Sequence, residues 1–145
     1  MADRDVLVDV QGLQKRFRNF HAVKGVSFQC YGGEVFGLLG PNGAGKTTTI
    51  RMLTTILRPT SGTAKIAGHD VIRDPEAVRA VIGVLPENTG IYGRLTAREV
   101  VRYAGRLYSV HPEVLEARVE AIFEALEMTP HLDRVTDTFS KGMKQ

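Results

Sequence analysis

Gly40-Pro41-Asn42-Gly43-Ala44-Gly45-Lys46-Thr47-Thr48 is the stretch on which the reading of this 145-residue chain turns. It satisfies G-x-x-x-x-G-K-[ST], the pattern of a phosphate-binding loop. Its flanks have the required character. Glu34-Val35-Phe36-Gly37-Leu38-Leu39 is a short apolar run that reads as a buried strand. After the loop, Ile50, Leu53, Ile56 and Leu57 recur at helical spacing. Gly43 and Gly45 let the backbone turn tightly and lie against a ligand. Successive N–H groups, from Asn42 through Ala44 to Thr48, then point inward as an anion nest, and the helix that follows adds its positive end. In such a loop Lys46 places a charge on the β- and γ-phosphates, and Thr47 offers its hydroxyl to Mg²⁺.

Working outward toward the N-terminus, Val6–Val10 reads as a strand reaching Leu13. A basic, aromatic stretch, Lys15-Arg16-Phe17-Arg18-Asn19-Phe20-His21, follows. It fits a hairpin loop with solvated charges and equally a stacking platform for a base, with Phe17 as the aromatic and Phe20 competing for the role. Val23–Tyr31 alternates loosely, as a half-exposed antiparallel strand does, and Gly32-Gly33 turns the chain toward the loop. Beyond the loop helix, Pro59–Gly62 is a turn and Thr63–Ala67 a strand. Asp74-Pro75 opens a short helix, with Asp74 as cap, and Val81–Leu85 is a further buried strand.

From Thr96 the pattern is helical. Thr96-x-x-Glu99 fits a capping box. His111-Pro112 starts the next helix, whose apolar face is Leu115, Val119, Ile122, Phe123 and Leu126 and whose end is Pro130. The four histidines stand apart without metal-ligand spacing.

Composition bounds the class. The chain is 43% hydrophobic and 24% charged, with a net charge of +3, too small to argue for nucleic acid. One cysteine, Cys30, excludes an internal disulfide framework and suits a reducing compartment. No apolar run has the length of a membrane span or a signal peptide, so a cytoplasmic protein is expected, with any membrane association through a partner.

At Phe139-Ser140-Lys141-Gly142-Met143-Lys144-Gln145 a second motif joins the first. Together with Gly40–Thr48 it resembles the ATP-binding subunits of ABC transporters, where a Leu-Ser-Gly-Gly-Gln signature follows the phosphate loop at the end of a helical subdomain. The variant here is similar to that of bacterial exporter ATPases of the sodium-extrusion and drug-export types. Ser140 and Gly142 match the signature; Lys141 and Met143 depart from it. On its own, Ser140 also reads as a helix cap.

The resemblance covers the whole chain and implies an α/β fold, a P-loop NTPase core with an antiparallel β subdomain (to about residue 87) and a helical subdomain (from about residue 88). It implies binding of ATP and Mg²⁺, with hydrolysis in the full-length protein coupled to export through a separate membrane-spanning permease. Two such domains, as a homodimer or heterodimer, would sandwich ATP, with Ser140 and Gly142 of one touching the γ-phosphate held by the other. It puts Phe17 at the adenine. Glu87 falls where the family usually has a glutamine that contacts Mg²⁺, and reads either as its substitute or as a solvated loop acid. Residues 89–93 lie where the family docks its membrane subunit, the alternative being a plain surface loop. The family's later Asp, Glu and His have no counterpart here, so a truncated core sheet and very slow hydrolysis by these 145 residues are expected, an absent general base lowering the rate by ~10²–10⁴. The alternatives are a soluble ATPase of the same type acting on nucleic acid or ribosomes, and a small kinase. The signature speaks against the kinase.

Overall fold

The computed structural model describes residues 5–85, 90 and 93–144. They fall into two compact units, Met1–Val84 and Leu85–Gln145.

In the first unit β1 (Val6–Phe17) and β2 (Phe20–Tyr31) form a long hairpin. The basic stretch is its tip, with Phe17 opposite Phe20 and Arg18 at a φ of 46° in the turn. β1 therefore runs well past Leu13. Beyond it come α1 (Lys46–Leu53), β3 (Ser61–Ile66), the two-residue β4 (His69–Asp70) and α2 (Pro75–Val81). The strands make one antiparallel sheet in the order β2-β1-β3-β4. The hairpin register shifts between Val10 and Leu13, where the Gly12 N–H donates to the Ser27 hydroxyl at 2.8 Å. The shift lets Val10 and Leu13, three residues apart, both enter the core. There they meet Val23, Ala64 and Ile66 from the sheet, Met52 and Leu53 from α1, Val71, and Val78 from α2.

Four local expectations are corrected. Residues 34–39 form no strand: the run has no regular structure, with Val35 fully exposed and Leu39 91% exposed. A strand buried on both faces is held by neighbours on either side, and no strand among the described residues lies beside this one. Phe36 is held instead by stacking on Phe28 of β2, ring centroids 4.9 Å apart. Residues 81–85 likewise form no strand: Val81 closes α2, and Val84 and Leu85 are exposed. Finally, α1 stops at Leu53, where Thr55 turns out of it with a φ of 62°. Its buried face is Thr49, Met52 and Leu53, while Ile50 and Ile56 face solvent. Asp74 precedes α2 without a side-chain capping bond.

In the second unit α3 (Ala97–Leu107) packs on α4 (Pro112–Ala125). The capping box forms as read: the Glu99 N–H donates to the Thr96 hydroxyl at 3.2 Å, and the Thr96 N–H donates to the Glu99 carboxylate at 2.8 Å. On α4, Leu115, Val119 and Phe123 are buried against Ala97, Leu132 and Phe139, whereas Ile122 and Leu126 are exposed. The helix ends five residues before Pro130, with Glu127 at a φ of 55°; Pro130 sits inside a separate 3₁₀ turn, Thr129–His131. The helices approach closely because position 105 has no side chain: a Cβ on Gly105 would overlap Leu115.

An ionic network that no motif announces ties this unit together. Arg102 grips Glu116 with two guanidinium nitrogens. Arg98 grips Asp133, at 2.8 and 3.3 Å, and lies 3.5 Å from Glu116. The Arg102 hydrogen bond holds the Glu116 carboxyl below the usual range, and Arg98 does the same to Asp133. A carboxyl with a lowered native pKa stabilises the fold above its unfolded value, and that contribution drains away as pH falls through the native one. Thermal melts of the chain should therefore weaken as pH drops below about 5, and Glu116→Gln should flatten that dependence. Separately, Thr96→Ala should lower stability by about 1 kcal/mol at neutral pH, read from urea unfolding.

Candidate functional site

The phosphate-loop motif lies in the first unit between residue 39 and α1. Residues 41–44 are exposed and closed by a turn in which the Ala44 N–H donates to the Pro41 carbonyl at 3.2 Å. Gly45 is the hinge from loop to helix. Its φ of 88° is left-handed, and a Cβ there would drive into the carbonyl oxygen of Ala22 and against Cγ2 of Val23, both on β2. Glycine thus serves two needs at once, the turn and the close approach to the hairpin. Gly43 shares the left-handed conformation, at 84°, but faces open space.

α1 then begins with Lys46. The Thr49 hydroxyl, buried, donates to the Gly45 carbonyl at 3.0 Å, beside the Thr49 N–H at 2.8 Å, and so fixes the first turn. Lys46 folds back over the loop, its Nζ donating to the carbonyls of Gly40 at 2.6 Å and Pro41 at 2.7 Å. The cation is thereby parked at the loop, beside the N-terminus of a helix whose first N–H groups have no intrahelical partner. Thr47 is exposed at that same N-terminus, and Thr48 is half-buried. A loop of small residues, a resident ammonium and an exposed hydroxyl at a helix start fit a phosphate chain with its hard cation.

The aromatic hairpin tip is brought to the same region. Phe17 is 44% exposed and Phe20 61% exposed, and both lie within a few strand positions of Ala22 and Val23, on which Gly45 rests. One residue near the tip was not singled out by sequence reading. Lys15 Nζ lies 5.2 Å from the Phe17 ring centroid and donates to the Arg58 carbonyl at 2.7 Å. The signal available was the i, i+2 spacing, which puts both residues on one face of a strand. Glu87 lies outside the described residues, as do 86, 88–89 and 91–92.

Ser140 and Gly142 lie in the second unit, exposed, around a single 3₁₀ turn, Gly142–Lys144. The Ser140 hydroxyl accepts the Met143 N–H at 3.3 Å, as a cap does. Their position is set by Phe139, buried in the helical core edge-on to His131 with the Arg134 guanidinium over its ring.

Residues 23–145 match the family model for the ABC transporter. This chain belongs to the ABC transporter family. It is 42% identical to the ABC transporter ATP-binding protein NatA of Bacillus subtilis (strain 168), over 86% of this chain and 51% of that protein. It is 36% identical to the daunorubicin resistance ATP-binding protein DrrA3 of Streptomyces coeruleorubidus, over 100% of this chain and 45% of that one. A solved structure described as an ATP-binding subunit of an ABC transporter superposes with a TM-score of 0.82 at 30% identity, over 95% of this chain and 57% of that chain. The ABC chain thus spans about half the length of the curated relatives it matches. Its fold is a partial α/β ABC ATPase domain, combining the antiparallel sheet with helices. No helix among the described residues is long and apolar enough to cross a membrane.

Gly45→Ala should destabilise the chain by about 1–3 kcal/mol, because it meets both strain and collision. Gly43→Ala meets strain alone and should weaken it less. Urea unfolding of the two variants checks the order.

Proposed function

We propose that this chain binds ATP with Mg²⁺ and, within its whole protein, supplies the hydrolysis-driven stroke of an exporter. The membrane-spanning path would belong to a separate subunit, holding the ATPase at the inner face of the membrane. The observation that carries the reading is the seat of Gly45 against Ala22 and Val23 of β2, which sets the glycine loop and Lys46 at the start of α1, on the same hairpin that bears Phe17 at its tip. The names of the relatives, ATP-binding proteins in transport and drug resistance, support it.

The residues divide the work by chemistry. The N–H groups of Asn42 to Thr48 would surround the β-phosphate. Lys46 would move from the loop carbonyls to the β- and γ-phosphates, where its charge offsets that developing as the γ-phosphoryl leaves. Thr47 would hold Mg²⁺, with Glu87 as a second oxygen ligand. Held there, Mg²⁺ would supply positive charge to offset that of the phosphates. Phe17 would stack on adenine. Ser140 and Gly142 would serve a neighbouring ATP-binding domain, identical or related, by donating to its γ-phosphate. On this division residues to about 87 form the nucleotide-holding part and residues from about 88 the helical, signature-bearing part.

The absence of tryptophan from the sequence permits a direct test. Phe17→Trp makes a sole indole, and MgATP should quench and shift its emission saturably while Mg-tripolyphosphate does not. Adding Lys46→Ala should raise the Kd for MgATP roughly 10- to 100-fold, as losing a charge-assisted bond of about 1.5–3 kcal/mol requires. An unchanged emission, with calorimetry also silent, would remove the proposal.

A further inference from the structure

Lys15 takes no part in the phosphate loop, yet its ammonium is held from two sides. It donates to the Arg58 carbonyl, on the segment between α1 and β3, and faces the Phe17 ring at 5.2 Å from the centroid. Its side chain is half-buried, and across the hairpin it stands opposite Val23, whose Cγ2 borders Gly45. One residue therefore connects the base platform to the strand position under the phosphate loop.

A bond from β1 to the 58–60 segment is not needed for the fold alone. The Thr60 N–H already donates to the Gln14 carbonyl at 2.9 Å, and the Arg16 N–H to the Thr60 hydroxyl at 3.0 Å. What the Lys15 bond adds is a fixed cation against an aromatic ring that is still 44% exposed. A cation near a π-face is attracted by the ring quadrupole and draws density toward itself. The ring is restrained, and its open side becomes a better partner for an electron-rich purine.

We infer that Lys15 is a positioning residue for the nucleotide base: pinned by the Arg58 carbonyl, it orients and polarises Phe17 so that the exposed part of the ring receives adenine. This rests on the proposed role of Phe17. It predicts a contribution to ATP affinity that depends on the base and not on the phosphates.

Calorimetric titration of the chain with MgATP and with Mg-tripolyphosphate separates the two. Lys15→Met and Lys15→Gln should each raise the Kd for MgATP about 3- to 10-fold, in line with a partly desolvated cation–π contact, and leave tripolyphosphate within about twofold. Lys15→Arg should restore ATP binding, since guanidinium also sits well against an aromatic face. Retained tripolyphosphate binding shows that a variant still folds its loop. Should Phe17→Ala weaken MgATP while the Lys15 variants do not, the role of Lys15 is overturned and that of Phe17 stands. Equal weakening of both ligands by the Lys15 variants also overturns it, by showing a general structural effect. If Phe17→Ala leaves MgATP unchanged, the platform itself is wrong and the inference falls with it.

Discussion

The first unit is arranged around a backbone-to-backbone approach in which a side chain would have no room. Gly45 lies directly against the Ala22 carbonyl and the Val23 side chain of β2. Because β2 is paired along its length to β1, that one contact fixes α1 relative to the sheet. α1 then delivers Met52 and Leu53 into the same core that Val10, Leu13 and Val23 fill. Gly45, α1 and the hairpin at Ala22 and Val23 are thus packed together. A site in which a phosphate chain and an aromatic ring must be held at a set spacing gains from such rigidity.

The second unit is held differently. Among the described residues its apolar core has six buried side chains, from Ala97 to Phe139, and it is supplemented by Arg98 and Arg102 bridging α3 to α4 and to Asp133. These ion pairs are partly exposed, so individually they contribute modestly. As a network with paired guanidinium bonds they fix register more than they add stability. Phe139 is buried in that same core, just before the turn capped by Ser140.

The features legible in the sequence were those encoded by neighbours in the chain. The loop-to-helix turn at residues 43–46, the Thr96–Glu99 box, the hairpin and the turn at Gly32-Gly33 each depend on residues within a few positions, and each formed. The misreadings share another cause. Val35 to Leu39 and Val81 to Leu85 have strand composition, but a strand is made by its partners, and among the described residues none stands beside them. Ile50 and Ile56 obeyed helical periodicity, yet the helix unwinds at Thr55, and a threonine with a back-bonded hydroxyl, Thr49, takes the buried place. In α4 the stripe was right at Leu115, Val119 and Phe123 and too wide at Ile122 and Leu126. The Arg102–Glu116 and Arg98–Asp133 pairs are separated by 14 and 35 positions, and no local pattern encodes such distances.

The grip of Lys46 on the carbonyls of Gly40 and Pro41 carries a consequence for selectivity. Any anion entering the loop competes with two hydrogen bonds already in place, so binding is an exchange rather than a simple gain. Each bond to a charged group is worth ~1.5–3 kcal/mol. A lone orthophosphate recovers little beyond what the lysine gives up, whereas a longer polyanion that also engages the amides and helix start returns a surplus. On the proposed ATP-binding reading, the lysine would act as an internal counterweight, setting a threshold that small anions do not cross.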